Sequence, residues 1–174
     1  MRATDVAPLA GSPVPNAGPP PPGAVGTVPA DFTLPALAGG ETSLRSYRGR
    51  PLVLAFFARW CAPCIEEIPI LAATAHEHAD AVAVVGVSVD ETDADGVTEL
   101  AREHGITYPV LLDPGGTLAG GALGVPPLPA TFVFDGDGRI VFAQRGGDAE
   151  LEVALREALA AALHAPEDAH EHVH

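Results

Sequence analysis

The sequence predicts an α/β fold of three layers, with a mixed central sheet flanked by helices. Two observations predict it. Continuous apolar runs of strand length, Leu52–Ala58 and Ala81–Val87, alternate with stretches of helical pattern. The chain then closes with an antiparallel hairpin and one last helix. At 174 residues, 47% of them hydrophobic, the chain can bury one ordinary core without disulfide staples or a structural metal.

Residues 1 to about 26 are rich in Pro, Gly, Ala and Val and include the tetrad Pro19–Pro22. That composition makes a stiff, solvated linker or tether, not a core, so the folded domain is expected over 27–164. Phe32–Pro35 and Ser43-Leu44 read as short extended pieces around the Gly39-Gly40 turn. Leu52–Phe57 is apolar at every position, as in a central strand covered on both faces. A helix begins at Cys61 and runs to about Ala79, with a kink expected at Pro69. Ala81–Val89 is a second central strand, and Asp93–His104 a helix stopped by Gly105. Tyr108–Leu112 is a strand closed by the turn Asp113–Gly116, and a short helix around Thr117–Leu123 follows. Ala130–Phe134 and Ile140–Ala143 flank Asp135-Gly136-Asp137-Gly138, a strong hairpin signal. Asp148 is placed to cap a final helix, Ala149–Leu163, with Leu151, Leu155, Leu159 and Leu163 on one stripe. Residues 165–174 read as a flexible acidic, His-rich tail.

The charge balance narrows the function. The formal net charge is −14, and all nine cations are Arg. No basic face is available to neutralise phosphates, which argues against nucleic acid as a partner. No run approaches the roughly 18 apolar residues that a membrane span requires. The opening Met1-Arg2 is followed by no apolar segment of a signal peptide. A complete chain would therefore work in the cytoplasm; one whose anchor lies outside this sequence would work beyond it.

Both cysteines, Cys61 and Cys64, fall within four residues, so a bond between them constrains almost nothing in the unfolded chain. Such a pair is kept for its chemistry. Placed at i and i+3 on the first turn of a helix, the two sulfurs can meet in normal disulfide geometry. The helix N-terminus stabilises a thiolate at Cys61 and lowers its pKa below the ~8.5 of a free thiol. Cys64, one turn further in, is the shielded partner. Cys61 is thus the expected accessible nucleophile and Cys64 the resolving thiol. Between them, Pro63 suits the first turn, where its missing N–H costs little, and Ala62 adds no charge. A structural zinc site would need a second pair of ligands, and there is no second cysteine pair. His76 and His78 point different ways on a helix, and His170, His172 and His174 lie on the polar tail, so no metal site is assigned.

Four separated segments carry a family resemblance. They are Asp31–Pro35, Tyr47–Pro51, the motif Phe57-Ala58-Arg59-Trp60-Cys61-Ala62-Pro63-Cys64, and Gly124–Phe132 followed by Asp135–Ile140. Together they resemble the TlpA/ResA/CcmG-like branch of the thioredoxin superfamily, over Asp31 to about Arg145. The resemblance implies a thioredoxin-like fold with an N-terminal extension and a central insert over Asp90–Leu123. It implies a disulfide reductase without a cofactor, extracytoplasmic and membrane-tethered, several of whose relatives serve cytochrome c maturation. It makes Pro129 a cis-proline facing the dithiol, with the Leu128 backbone free to pair with an extended substrate chain and Trp60 beside it. Thioredoxin keeps a buried Asp six residues before its first active-site cysteine; here that position is Ala55. Glu67, three residues after Cys64 and on its face with Ile68 and Leu71, then becomes the expected proton acceptor, while Glu66 points away.

The implied partners are a protein substrate with a disulfide or thiols, and an upstream dithiol donor in the membrane. The chain itself is expected to be a monomer. Ala62-Pro63 contains no His, which leans toward a reductant. Three rival readings stand beside this one, one of them a cytoplasmic thioredoxin paralogue reduced by a flavoenzyme. A peroxiredoxin-like thiol peroxidase shares the Asp31–Pro35 extension, but Arg59-Trp60 stand where such an enzyme has a Thr upstream of its cysteine. A non-enzymatic copper carrier would use the dithiol and the histidine tail.

Overall fold

The computed structural model describes residues 19–91, 94–147 and 150–173. Five strands form the central sheet: β3 (Leu52–Phe57), β4 (Ala83–Ser88), β5 (Val110–Leu112), β6 (Ala130–Phe134) and β7 (Ile140–Arg145), in the order β5-β4-β3-β6-β7. β3, β4 and β5 run parallel, whereas β6 and β7 run antiparallel to their neighbours. The expected mixed sheet is therefore present. β1 (Thr33–Pro35) and β2 (Glu41–Ser43) make a separate small hairpin, with Leu34 opposite Thr42.

β3 shows why a run without alternation was needed. Leu52, Leu54 and Phe56 enter one apolar cluster with Leu34, Leu123 and Phe132, on the face carrying the small hairpin and helix α3 (Ala119–Leu123). Val53 and Ala55 enter another with Leu71, Leu155 and Leu159, contributed by α1 (Ala62–His78) and α4 (Leu151–Val173). Helix α2 (Ala94–His104) lies on this second side, where Val97 and Leu100 pack with Phe57, Val110 and the cysteines. Both faces of the sheet are covered, giving three layers.

The β6–β7 turn is built as the Asp-Gly-Asp-Gly run suggests. The Asp135 carboxylate accepts from the Asp137 and Arg139 amides at 2.9 and 3.0 Å, and Gly138 takes φ 87°.

Two boundaries move. The expected linker over 1–26 ends sooner: the Gly26 amide donates to Ile140 at 2.8 Å, and Arg145 donates to the Pro22 carbonyl at 3.1 Å. Proline cannot donate, but its carbonyl is a good acceptor, so a Pro-rich segment can still be fastened from outside. At the other end α4 continues to Val173, through most of the expected flexible tail. Ala165, Glu167, Ala169 and Glu171 are good helix formers within it. Asp148 and His174 lie outside the described residues. Along α4 the fourth buried position is Ala162, with Leu163 only half-buried, because a strict four-residue step outruns the 3.6-residue turn. Among the described residues no helix is long and apolar enough to cross a membrane.

Candidate active site

Everything at the site follows from the exit of β3. After Phe57 the chain turns through Ala58–Trp60 and meets α1 at Cys61, which is its N-cap (φ −100°, ψ 98°). The Cys61 amide donates to Ala58 at 3.1 Å, and the Cys61 carbonyl accepts the helix bond from Ile65 at 3.2 Å. Cys61 Sγ accepts from the Cys64 amide at 3.3 Å, as a capping oxygen would. Pro63 lies in the first turn, where its absent N–H leaves no bond unmade.

Cys61 and Cys64 are joined in a disulfide across a Cα–Cα distance of 5.3 Å. On reduction, Cys61 Sγ keeps a backbone donor and the positive end of a helix of 17 residues, the surroundings that stabilise a thiolate. Cys64 Sγ instead lies 4.0 Å from the Phe56 carbonyl oxygen, which favours a protonated thiol there. The asymmetry of the pair is electrostatic.

It is not one of exposure. Cys61 is 6% accessible and Cys64 3%, so the accessible nucleophile expected at Cys61 is covered in the oxidised state. Its neighbour Trp60 stands out instead, at 73%. Glu67 is buried on α1 together with Cys64, Ile68, Leu71 and Thr74, whereas Glu66 is exposed. Ala55, buried on β3 between Gly86 and Thr131, brings no carboxylate to the site.

A distant loop meets the dithiol. The Leu128–Pro129 peptide is cis, as are Val125–Pro126 and Pro126–Pro127. Leu128 packs on the apolar cluster that contains Cys61, Cys64 and Ile68. The Pro129 carbonyl accepts from the Gly146 amide at 2.6 Å, while Gly147 packs so closely on Pro63 that an added Cβ would approach to 3.2 Å. Beside the dithiol runs an open groove of about 760 Å³, whose walls include Trp60, Val89, Asp90, Val125, Pro126 and Leu128.

Asp90 is a site residue that the sequence analysis did not single out. Its buried carboxylate accepts from the Arg59 amide with both oxygens, at 3.0 and 3.1 Å. It also accepts from the Ser88 hydroxyl at 2.9 Å, and Ser88 Oγ in turn accepts from the Asp90 amide at 3.2 Å. The end of β4 thereby holds the loop that leads into Cys61.

Comparison with known proteins agrees with this arrangement. Residues 25–143 match the AhpC/TSA family. The chain belongs to that family. It is 30% identical over 118 residues to the thiol-disulfide oxidoreductase ResA of Bacillus anthracis, covering 67% of each chain. A putative thiol:disulfide interchange protein DsbE from Chlorobium tepidum superposes with a TM-score of 0.74 at 25% identity, covering 80% of this chain and 98% of that one. The pneumococcal exposed lipoprotein thioredoxin Etrx1 superposes with a TM-score of 0.65 at 27% identity, covering 75% and 98%.

This AhpC/TSA chain is thus a thiol–disulfide oxidoreductase of thioredoxin-like fold, with Cys61 and Cys64 as its redox pair. Of the residues expected at the site, the structure gathers Trp60 and Leu128 on one groove, Ala62 and Pro63 on the first turn, and Glu67 on the Cys64 face. Ser88 and Asp90 had one legible signal, a polar Ser-x-Asp directly after an apolar strand. The carboxyl ends of parallel strands are where α/β sites collect.

Proposed function

We propose that this enzyme reduces disulfides of extracytoplasmic polypeptides, cytochrome c maturation among its settings, and that it is held at a membrane with its Pro-rich N-terminal segment as spacer. One observation carries the reading. Leu128 packs on the apolar cluster that holds Cys61 and Cys64, and with Trp60, the neighbour of Cys61, it lines a single groove, as a catalyst that grips an extended chain requires. Likeness to an exposed lipoprotein thioredoxin supports the location, and likeness to the thiol-disulfide oxidoreductase ResA supports the exchange chemistry.

The chemistry follows from the geometry. The Cys61 thiolate attacks one sulfur of the substrate disulfide; the S–S bond breaks and the other sulfur leaves as a thiolate. Cys64 then loses its proton to Glu67 and attacks Cys61 Sγ. The mixed disulfide breaks, the substrate departs as a dithiol, and the enzyme is left with the Cys61–Cys64 bond. Two electrons have passed to the substrate. An upstream membrane dithiol reverses the last steps to restore the enzyme, which acts as a monomer.

The test is a Cys64→Ser variant, which cannot resolve. It should accumulate a substrate on Cys61 as a mixed disulfide, released by dithiothreitol and identified by mass spectrometry as an extracytoplasmic protein with paired cysteines. Trapping only cytoplasmic proteins would overturn the location, and trapping none would overturn the reductive mechanism. A thiol-peroxidase reading keeps the shared Asp31–Pro35 extension in its favour; peroxide consumption by the wild-type protein with a dithiol donor would establish it.

A further inference from the structure

The loop Gly124–Pro129 poses a problem of support. Pro126, Pro127 and Pro129 have no N–H, so three of its six residues cannot anchor it by donating. The Gly124 and Val125 amides both turn back to Gly120 in the first turn of α3, the latter at 2.8 Å. What fixes the rest of the loop must come from outside.

It comes from the end of β7. The Arg145 backbone pairs with Ala130, the residue after Pro129, and the next amide, Gly146, donates to the Pro129 carbonyl. The Arg145 side chain reaches the loop's other end. Nε donates to the Gly124 carbonyl at 3.1 Å, and Nη2 donates to Leu123 at 2.7 Å and to Pro22 at 3.1 Å. The guanidinium carbon stands 5.2 Å from the centre of the buried Phe132 ring.

Two glycines make room for it. At Gly124 (φ +72°) a Cβ would lie 2.8 Å from the Pro22 carbonyl, and at Gly23 (φ +76°) one would collide with Leu123 O and Arg145 Nη2. The guanidinium is therefore seated among three carbonyls from two chain segments that have been brought close enough to share it. Only a planar fork with several donors serves three carbonyls at once.

We propose that Arg145 is a positioning residue for the substrate loop. It ties the N-terminal segment and the end of α3 to β7, and so holds Leu128–Pro129 in the shape that receives an extended polypeptide. This rests on the reading that Leu128–Pro129 is the substrate platform. A loop released from one end must be ordered again at every binding event, which weakens binding without touching the sulfur chemistry.

The test compares Arg145→Gln and Arg145→Lys with wild type on two oxidised substrates, a disulfide-bonded peptide of about ten residues, long enough to add as a strand, and 2-hydroxyethyl disulfide. In the Gln variant KM for the peptide should rise about tenfold, with kcat, the rate on the small disulfide and the reduction potential unchanged. The Lys variant, which keeps the charge but loses the fork, should also raise KM. Amide exchange at Leu128 should quicken in both. An unchanged peptide KM would overturn the proposal, as would equal losses on both substrates, which would mark a general loss of stability. If wild type itself shows no preference for the peptide, the platform reading fails. If wild type prefers the peptide and the Gln variant does so equally, Arg145 alone is at fault.

Discussion

Replacing Asp90 by Ala tests whether the end of β4 holds the active-site loop. The carboxylate is 7% exposed and satisfies two donors, the Arg59 amide at 3.0 and 3.1 Å and the Ser88 hydroxyl at 2.9 Å. Hydrogen bonds to a charged acceptor contribute about 1.5–3 kcal/mol each, and relief of the buried charge offsets part of their loss. The net cost of Asp90→Ala should be about 2–3 kcal/mol. Asp90→Asn keeps one acceptor oxygen and should lose about 1 kcal/mol. Urea denaturation of the oxidised protein measures both, with an unchanged slope showing that only stability has moved. Ser88→Ala completes a double-mutant cycle, whose coupling should exceed about 0.5 kcal/mol if the two side chains act as a unit. Arg59 is two residues from Cys61, so the Ala variant should also exchange disulfides more slowly. An Asp90→Ala protein within about 0.5 kcal/mol of wild type, the range of an ordinary surface change, would refute the reasoning.

Glu67→Gln keeps shape and removes the carboxylate from the Cys64 face; on the proposed proton role, formation of the mixed disulfide should be unaffected and its resolution slowed about a hundredfold. Stopped-flow kinetics separates the two steps, and equal resolution rates would dismiss that role. Ala79, the C-cap of α1, has φ 37° and ψ −106°, a conformation natural to glycine. Ala79→Gly should therefore raise stability by about 1 kcal/mol in the same urea assay, and a loss would show that the strain is absent. Burial pushes the Tyr108 phenol well above its ordinary 10.0, and burial raises Tyr47 too, partly countered by Arg50. A folded pKa above the unfolded one gives stability that is whole below pH 10.0 and drains away as pH climbs towards the folded value. With only these two tyrosines in the chain, native protein at pH 10 should show less than half of the tyrosinate absorbance of unfolded protein.

The dithiol could be read directly because its parts are local. The two cysteines are three positions apart, and the apolar strand before them and the helix after them are patterns of neighbouring positions. Central strands and helices were legible for the same reason, since period and composition act over about ten residues. The bonds that shape the rest of the site have no such signature. Asp90 meets Arg59 across 31 positions, and Arg145 meets Leu123 across 22 and Pro22 across 123. Side chain–backbone bonds are also blind to the identity of the acceptor residue, because any carbonyl serves. A proline tetrad thus reads as solvated linker until an arginine from the far end of the sheet is found holding Pro22. The burial of Cys61 has no local signature either. The helix N-terminus sets its charge environment locally, whereas its cover comes from the tertiary packing that also brings Leu128 onto the cysteine cluster. The redox pair of this enzyme is therefore written in four adjacent residues, and the setting of the loops around it in contacts between segments far apart along the chain.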